Sequence, residues 1–409
     1  MSRPLIDPSK WRLDPTLTFL NHGSFGACPI EVLEAQSAIR EQMERSPVRF
    51  NLVQLPTLYE AARERIGPLL GISPNDLLFV SNASEGVSIA LHSVVWREGD
   101  EVIVSQDSYP ACRHMLTALS ERYQINVKVA MTPFGGEDWS KRVYSAFKEQ
   151  LTPKTRLLLI DHITSPTALV YPVKELIGLA RSIGALSLVD GAHAPGQLSL
   201  DISGTLKPSF YVGNAHKWIM SPKSCAILYI AQEYRDQTLP LVVSHGYLTE
   251  GDARLRALFD WTGTRDYSAM AVLPETIDWI DQNCDGFESL RDYNNQLCRK
   301  ARELIVKQLW GDDPPLLPPE SAIAHLASIP LPKHLSTKFS VDSDSASKST
   351  SAAAAGGVHP LQRALWAKGF EIPVIPSAHG LLIRISAQAY NDLEQYERLS
   401  KVLSRLGAD

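Results

Sequence analysis

Three observations predict an α/β fold built on a largely parallel sheet. From about Leu33 to Ile227, short apolar runs alternate with helix-periodic segments. Most of these runs are continuously apolar, which suits strands covered on both faces of a sheet. Polar groups gather just past two of them, at Ser81–Ser84 and at Asp190. The carboxyl ends of parallel strands are where such sheets carry their sites.

Strands are expected, in chain order, at Leu77–Val80, Glu101–Val104, Arg156–Ile160, Ala185–Val189, Phe210–Val212 and Ala226–Ile230. Tyr59–Leu70, Gly86–Val95 and Val173–Ser182 read as intervening helices. After about Ala269 the character changes. Val272–Asn283 and Phe287–Trp310 read as long helices, continuous apolar runs disappear, and a Pro-rich stretch leads into weaker strand signals. The expected division is a large domain over 17–270 and a smaller α+β domain formed by 1–16 and 271–409. The Ser/Ala-rich stretch at about 336–358 has almost no large apolar side chains to offset its ordering entropy, so a flexible insert is expected. A short alanine helix at 352–355 is the alternative, too short to stand alone.

The 409 residues are 44% hydrophobic, enough for a sizeable core, and carry a formal charge of −5 without long runs of one sign. Nothing favours nucleic acid. No segment approaches the roughly 20 apolar residues of a membrane span. The first residues lack an apolar signal region. Five widely spaced cysteines form no metal-binding pattern and fit a reducing, cytoplasmic setting.

The most informative stretch is LSLVDGAHAPGQLSL followed by FYVGNAHKWIMSPKSCA. An apolar strand ends in Asp190, His193 follows, and a second strand leads to Asn214, His216 and Lys217. Alone, Asp190 reads as a helix cap and Lys217 as a solvated lysine. In this order they are what pyridoxal phosphate (PLP) chemistry requires: a carboxylate that keeps the pyridine nitrogen protonated, and an amine that forms the Schiff base and then moves protons at Cα. The Asn82–Glu85 turn suits either a phosphate or a plain helix cap. Arg384 in LLIRISAQAYN offers a planar fork for a carboxylate, or an ordinary ion pair.

These motifs, together with LNHGSFGACP near the start, resemble the class V branch of the fold-type I PLP enzymes, in its isopenicillin N epimerase-like subgroup. The resemblance implies a large domain with a mostly parallel seven-stranded sheet plus the smaller C-terminal domain. It implies Lys217 as the Schiff-base lysine, Asp190 at the pyridine nitrogen, His193 on the phenolic side and His216 beside the phosphate. Ala83 and Ser84 would cradle the phosphate, and Tyr109 would stack on the ring. Ser165 or Thr167 would hydrogen-bond the phenolic oxygen. Thr264 would reach the phosphate of the other subunit in a homodimer; without the resemblance, its segment is an ordinary Gly turn. Arg384 would take the substrate carboxylate, and Asn21, His22 and Gly23 would lie at the substrate mouth.

The cofactor is specified more sharply than the reaction. The leading expectation is an epimerase or racemase of an amino acid, working through an external aldimine and a quinonoid carbanion. Lys217 serves one face, with Tyr109, His22 or water on the other. The alternatives are a C–S lyase acting by β/γ-elimination and a LolT-like cyclase that captures the carbanion. A cysteine desulfurase is disfavoured, because the segment before Arg384 contains no cysteine nucleophile. No metal is expected.

Overall fold

The computed structural model describes residues 3–340 and 358–408. Strands in chain order are β1 (Thr18–Phe19), β2 (Leu77–Val80), β3 (Glu101–Ser105), β4 (Asn126–Ala130), β5 (Thr155–Asp161), β6 (Leu186–Gly191), β7 (Phe210–Asn214), β8 (Ala226–Ile230), β9 (Leu326–Pro330), β10 (Phe370–Glu371), β11 (Val374–Ser377) and β12 (Gly380–Ser386). The main sheet has seven strands in the order β2-β8-β7-β6-β5-β3-β4. Only β8 runs against the others. All six strands expected from the sequence are present. The seventh, β4, was not anticipated: it is an edge strand with partly exposed faces, so Val127 and Val129 alternate with Asn126 and Lys128 instead of forming a continuous run.

Both faces of the sheet are apolar because successive side chains point to opposite sides. Phe79, Ile103, Leu158, Ile160 and Val189 pack beneath helices that include Leu55–Leu70 and Val173–Ser182. Leu78, Val102, Leu157, Leu159 and Val212 pack beneath Ala83–His92 and Pro110–Tyr123 on the other side. The helix that starts at Ala83 sits close to the sheet: a Cβ at Gly86 would meet a Val212 methyl at 2.5 Å.

The C-terminal part contains an antiparallel sheet, β11-β12-β9, where only weak strand signals were expected. Helices Gly286–Trp310 and Leu393–Ala408 pack over it. The start of the chain joins this part: β1 pairs in parallel with β10, and the Ile6 N–H donates to Ala389. Of the insert expected at about 336–358, residues 341–357 lie outside the described residues. Its first residues instead belong to the helix Lys333–Lys338.

Candidate active site

Six of the seven main strands finish on the same edge, so the strand order sets the order of side chains along that edge. Lys217 follows β7, Asp190 is on β6, Asp161 is on β5, and Tyr109 follows β3. Neighbouring strands lie about 4.8 Å apart, so the β7 and β3 ends are separated by about 14 Å. These four residues line one cavity of about 200 Å³, together with Ser24, Phe25, Asn82–Ser84, Ser165, His193, Asn214 and His216.

The Lys217 amine stands 3.2 Å from His193 Nε2. The Trp218 indole N–H donates to His193 Nδ1, which leaves the proton of the neutral ring on Nε2. Burial drives His193 well below its ordinary pKa, with the Lys217 and Arg384 charges adding to the effect. Burial also lowers the Lys217 amine to about 7; the Arg384 charge helps and Asp190 opposes it. Lys217 is therefore able to take or give a proton near neutrality.

Asn82 caps the helix Ala83–His92, its Oδ1 accepting from the Glu85 N–H at 2.9 Å. Glu85 reaches back to accept from the Ser81 N–H at 2.6 Å, tying the first helical turn to the residue before the cap. Asn214 accepts from the Ala83 N–H at 2.8 Å, tying this helix start to β7. His216 donates from Nδ1 to the Cys225 carbonyl, and burial lowers its ring to about 4.

The other wall comes from the smaller sheet. Arg384, on β12, is 3% exposed. Its Nη1 donates to the Ser165 carbonyl at 2.5 Å and to the Ser165 hydroxyl at 3.1 Å, and its Nη2 to the Ser24 hydroxyl at 3.0 Å. Nε is buried without a partner. Burial lowers this guanidinium to about 10. A buried cation met only by neutral oxygens, beside a cavity, is suited to an anionic ligand.

Some expected residues lie elsewhere. His22 is fully buried, not at a substrate mouth. Its Nε2 donates to the Lys217 carbonyl at 2.9 Å, and Nδ1 accepts from the Tyr390 hydroxyl at 2.8 Å. Both nitrogens are engaged, burial lowers its pKa to about 3, and its bond to the Lys217 carbonyl ties it to the Lys217 turn. Asn21 and Gly23 are buried too: Asn21 accepts from Ser24, and the Gly23 N–H donates to Ser386. The next two residues, Ser24 and Phe25, line the cavity instead. Thr167 is buried with its hydroxyl 2.6 Å from that of Thr164, outside the cavity lining. Ser165 does line the cavity, but Arg384 engages its hydroxyl. Thr264 is on the surface, away from the lining. Asp161, not anticipated as a site residue, lines the floor.

The lining fits PLP. Asp190 is buried, and its oxygens accept only from the Ala192 N–H at 3.0 Å and the Cys112 thiol at 3.4 Å. Among the described residues no basic side chain forms an ion pair with it. An acid held this way lacks the cationic partner that a protonated pyridine nitrogen supplies. The Lys217 amine, a helix start and an aromatic side chain complete the set.

The Aminotransferase class-V family model matches residues 29–311. The chain is 30% identical to isopenicillin N epimerase of Amycolatopsis lactamdurans, over 96% of each chain. It is 29% identical to a probable chloroplastic L-cysteine desulfhydrase of Arabidopsis thaliana, over 97% of this chain and 84% of that one. Among solved structures, a C-DES mutant with glycine covalently linked to the PLP cofactor superposes with a TM-score of 0.77 at 21% identity, covering 98% of this chain and 99% of that one. That likeness establishes the shared fold.

Proposed function

The chain belongs to the class V aminotransferase family of PLP-dependent enzymes, and on that premise we propose that it is an epimerase or racemase acting at Cα of an amino acid. The observation that carries this reading is that two proton-bearing groups line one cavity from strand ends three places apart in the sheet. The Lys217 amine, at about 7, follows β7, and the Tyr109 phenol, raised by partial desolvation on a side chain that is still 43% exposed, follows β3. Inversion needs one group that takes a proton and another that returns it on the opposite face.

The bound cofactor supplies an electron sink that acidifies the Cα–H bond. Asp190 keeps a negative charge at the strand ends. His193 offers its Nε2–H where the Lys217 amine now sits. The start of the helix Ala83–His92 offers the Ser84 N–H and hydroxyl to a phosphate, the Ala83 N–H being held by Asn214. Arg384 orients the substrate through its carboxylate, with Ser24 and Ser165 holding the guanidinium in place. Phe25 adds an apolar side chain to the lining. Lys217 takes the Cα proton, and Tyr109 carries the proton for the other face.

A C–S lyase is the second reading, favoured by the similarity to the desulfhydrase. Carbanion capture by a tethered electrophile is a third outcome of the same first step. Persulfide chemistry is disfavoured, since all five cysteines are buried and none lines the cavity. We further propose a homodimer in which Thr264 reaches the partner's phosphate site. Exposed apolar side chains near the mouth and beyond, among them Phe25, Leu52, Val53 and Leu248, support it. Five buried, unpaired thiols support a cytoplasmic setting.

The test is incubation of the PLP-loaded enzyme with an amino-acid panel in D₂O. Epimerase activity gives Cα deuteration with loss of chirality and no released fragment. Release of keto acid with thiol or ammonia establishes the lyase instead. Deuteration with retained configuration points to a carbanion that awaits an electrophile.

A further inference from the structure

Asp161 and Asp190 are direct partners in the parallel register of β5 and β6. Both line the cavity, so both side chains leave the sheet edge on the same side. They are 3% and 4% exposed. Strand spacing puts such partners about 5 Å apart. Two carboxylates this close, backed by apolar strands, do not both ionise.

Their surroundings are unequal. Asp190 accepts from Ala192 and Cys112 on its two oxygens, and the Lys217 charge favours its ionised form. Asp161 accepts from the Ser108 hydroxyl and the Tyr109 N–H but has no cation; two acids, Asp190 and Asp107, act on it. The ionisable groups around the pair are Lys217 and His193 from the loops after β7 and β6, Asp107, Tyr109 and Cys112 from the turn and helix after β3, Tyr211 on β7, and Tyr171 from the segment after β5.

We propose that Asp161 is a positioning residue that stays a neutral carboxylic acid, so that the strand-end pair carries one negative charge and Asp190 bears it. Burial pushes Asp161 well above the ordinary carboxyl range, and the Asp190 and Asp107 charges push the same way. Asp190 is then the lone anion at the floor, which the pyridine nitrogen requires, and the Asp161 O–H is a hydrogen-bond donor beside it. The inference goes beyond the reaction proposed above, because an epimerase and a lyase need the same charge at this position.

Infrared difference spectroscopy of the PLP-loaded protein at neutral pH tests it: wild type minus Asp161→Asn. A protonated carboxyl C=O band in the wild type, absent from the variant, is expected. Ser108→Ala removes a donor while keeping both acids, and it should retain the band; it serves if Asp161→Asn fails to fold. The pH-dependent absorbance transition of the bound cofactor is the second readout. Asp161→Asn replaces one neutral group by another, so the transition should move by less than about half a pH unit. Carboxylate bands alone, or a downward move of about one unit or more as from a lost negative charge, would overturn the proposal.

Discussion

The two sides of the cavity are built differently. The floor groups Lys217, Asp190 and Asp161 sit at or just past the ends of adjacent parallel strands, so backbone register places them. The wall group Arg384 comes from the smaller sheet and is held by side-chain hydrogen bonds to Ser24 and Ser165, from two distant segments. A second tie joins the β11–β12 turn to the floor: His379 Nε2 lies 3.1 Å from the buried Asp107 carboxylate, which also accepts from Thr132. The floor is suited to holding the cofactor and moving protons. The wall is suited to recognising a carboxylate. This difference in construction predicts a difference in what mutations break.

The largest effect belongs to the floor. Lys217→Ala should lower turnover by at least about 10³-fold, and a retained cofactor absorption spectrum identical to wild type would remove the lysine from its role. At the wall, Arg384→Gln should raise KM for the amino acid by about 10- to 100-fold, the worth of charge-assisted hydrogen bonds, and leave cofactor affinity unchanged. A smaller shift is expected from His379→Ala, which unties the turn: KM should rise about 2- to 5-fold with kcat nearly constant. An equal fall in kcat would place His379 with the floor and break the distinction. Ser24→Ala should have the least effect, a KM change of about 2-fold, since Arg384 keeps its bonds to Ser165.

A pH measurement sharpens the account of the floor. An ordinary lysine amine titrates at 10.5, and in this cavity it falls to about 7. Lowering the pKa favours the neutral amine, the form that reacts with an aldehyde. The rate at which cofactor-free protein takes up PLP should therefore rise with pH through about 7 and level off above it. A rate that continues to rise toward pH 10 would place the amine in water.

The floor was largely legible in the sequence because strand ends can be read locally. An apolar run that stops at Asp190, and another that leads to Lys217, need no knowledge of distant segments. Asp161 obeys the same rule, ending the apolar run Arg156–Ile160, but the hydroxyls of Thr164, Ser165 and Thr167 just after it give a competing polar signal. The wall was less legible. Arg384 was singled out, but its helpers depend on how three distant segments meet. In LNHGSFGACP the histidine drew the functional reading, yet packing against Trp218 and Tyr390 buries it and turns Ser24 and Phe25 toward the cavity. Thr167 is likewise set by local packing: the turn pairs its hydroxyl with Thr164. The strand β4 was missed because an edge strand need not be apolar on both faces.

The division between floor and wall is tested most directly by one titration. Glycine and glycinamide would be titrated into PLP-loaded wild type and Arg384→Gln, with cofactor occupancy followed in the same samples. The account predicts that wild type prefers glycine, that the variant loses this preference by about 10-fold or more, and that cofactor occupancy is the same in both. A variant that still prefers glycine, or one that loses its cofactor, would contradict it.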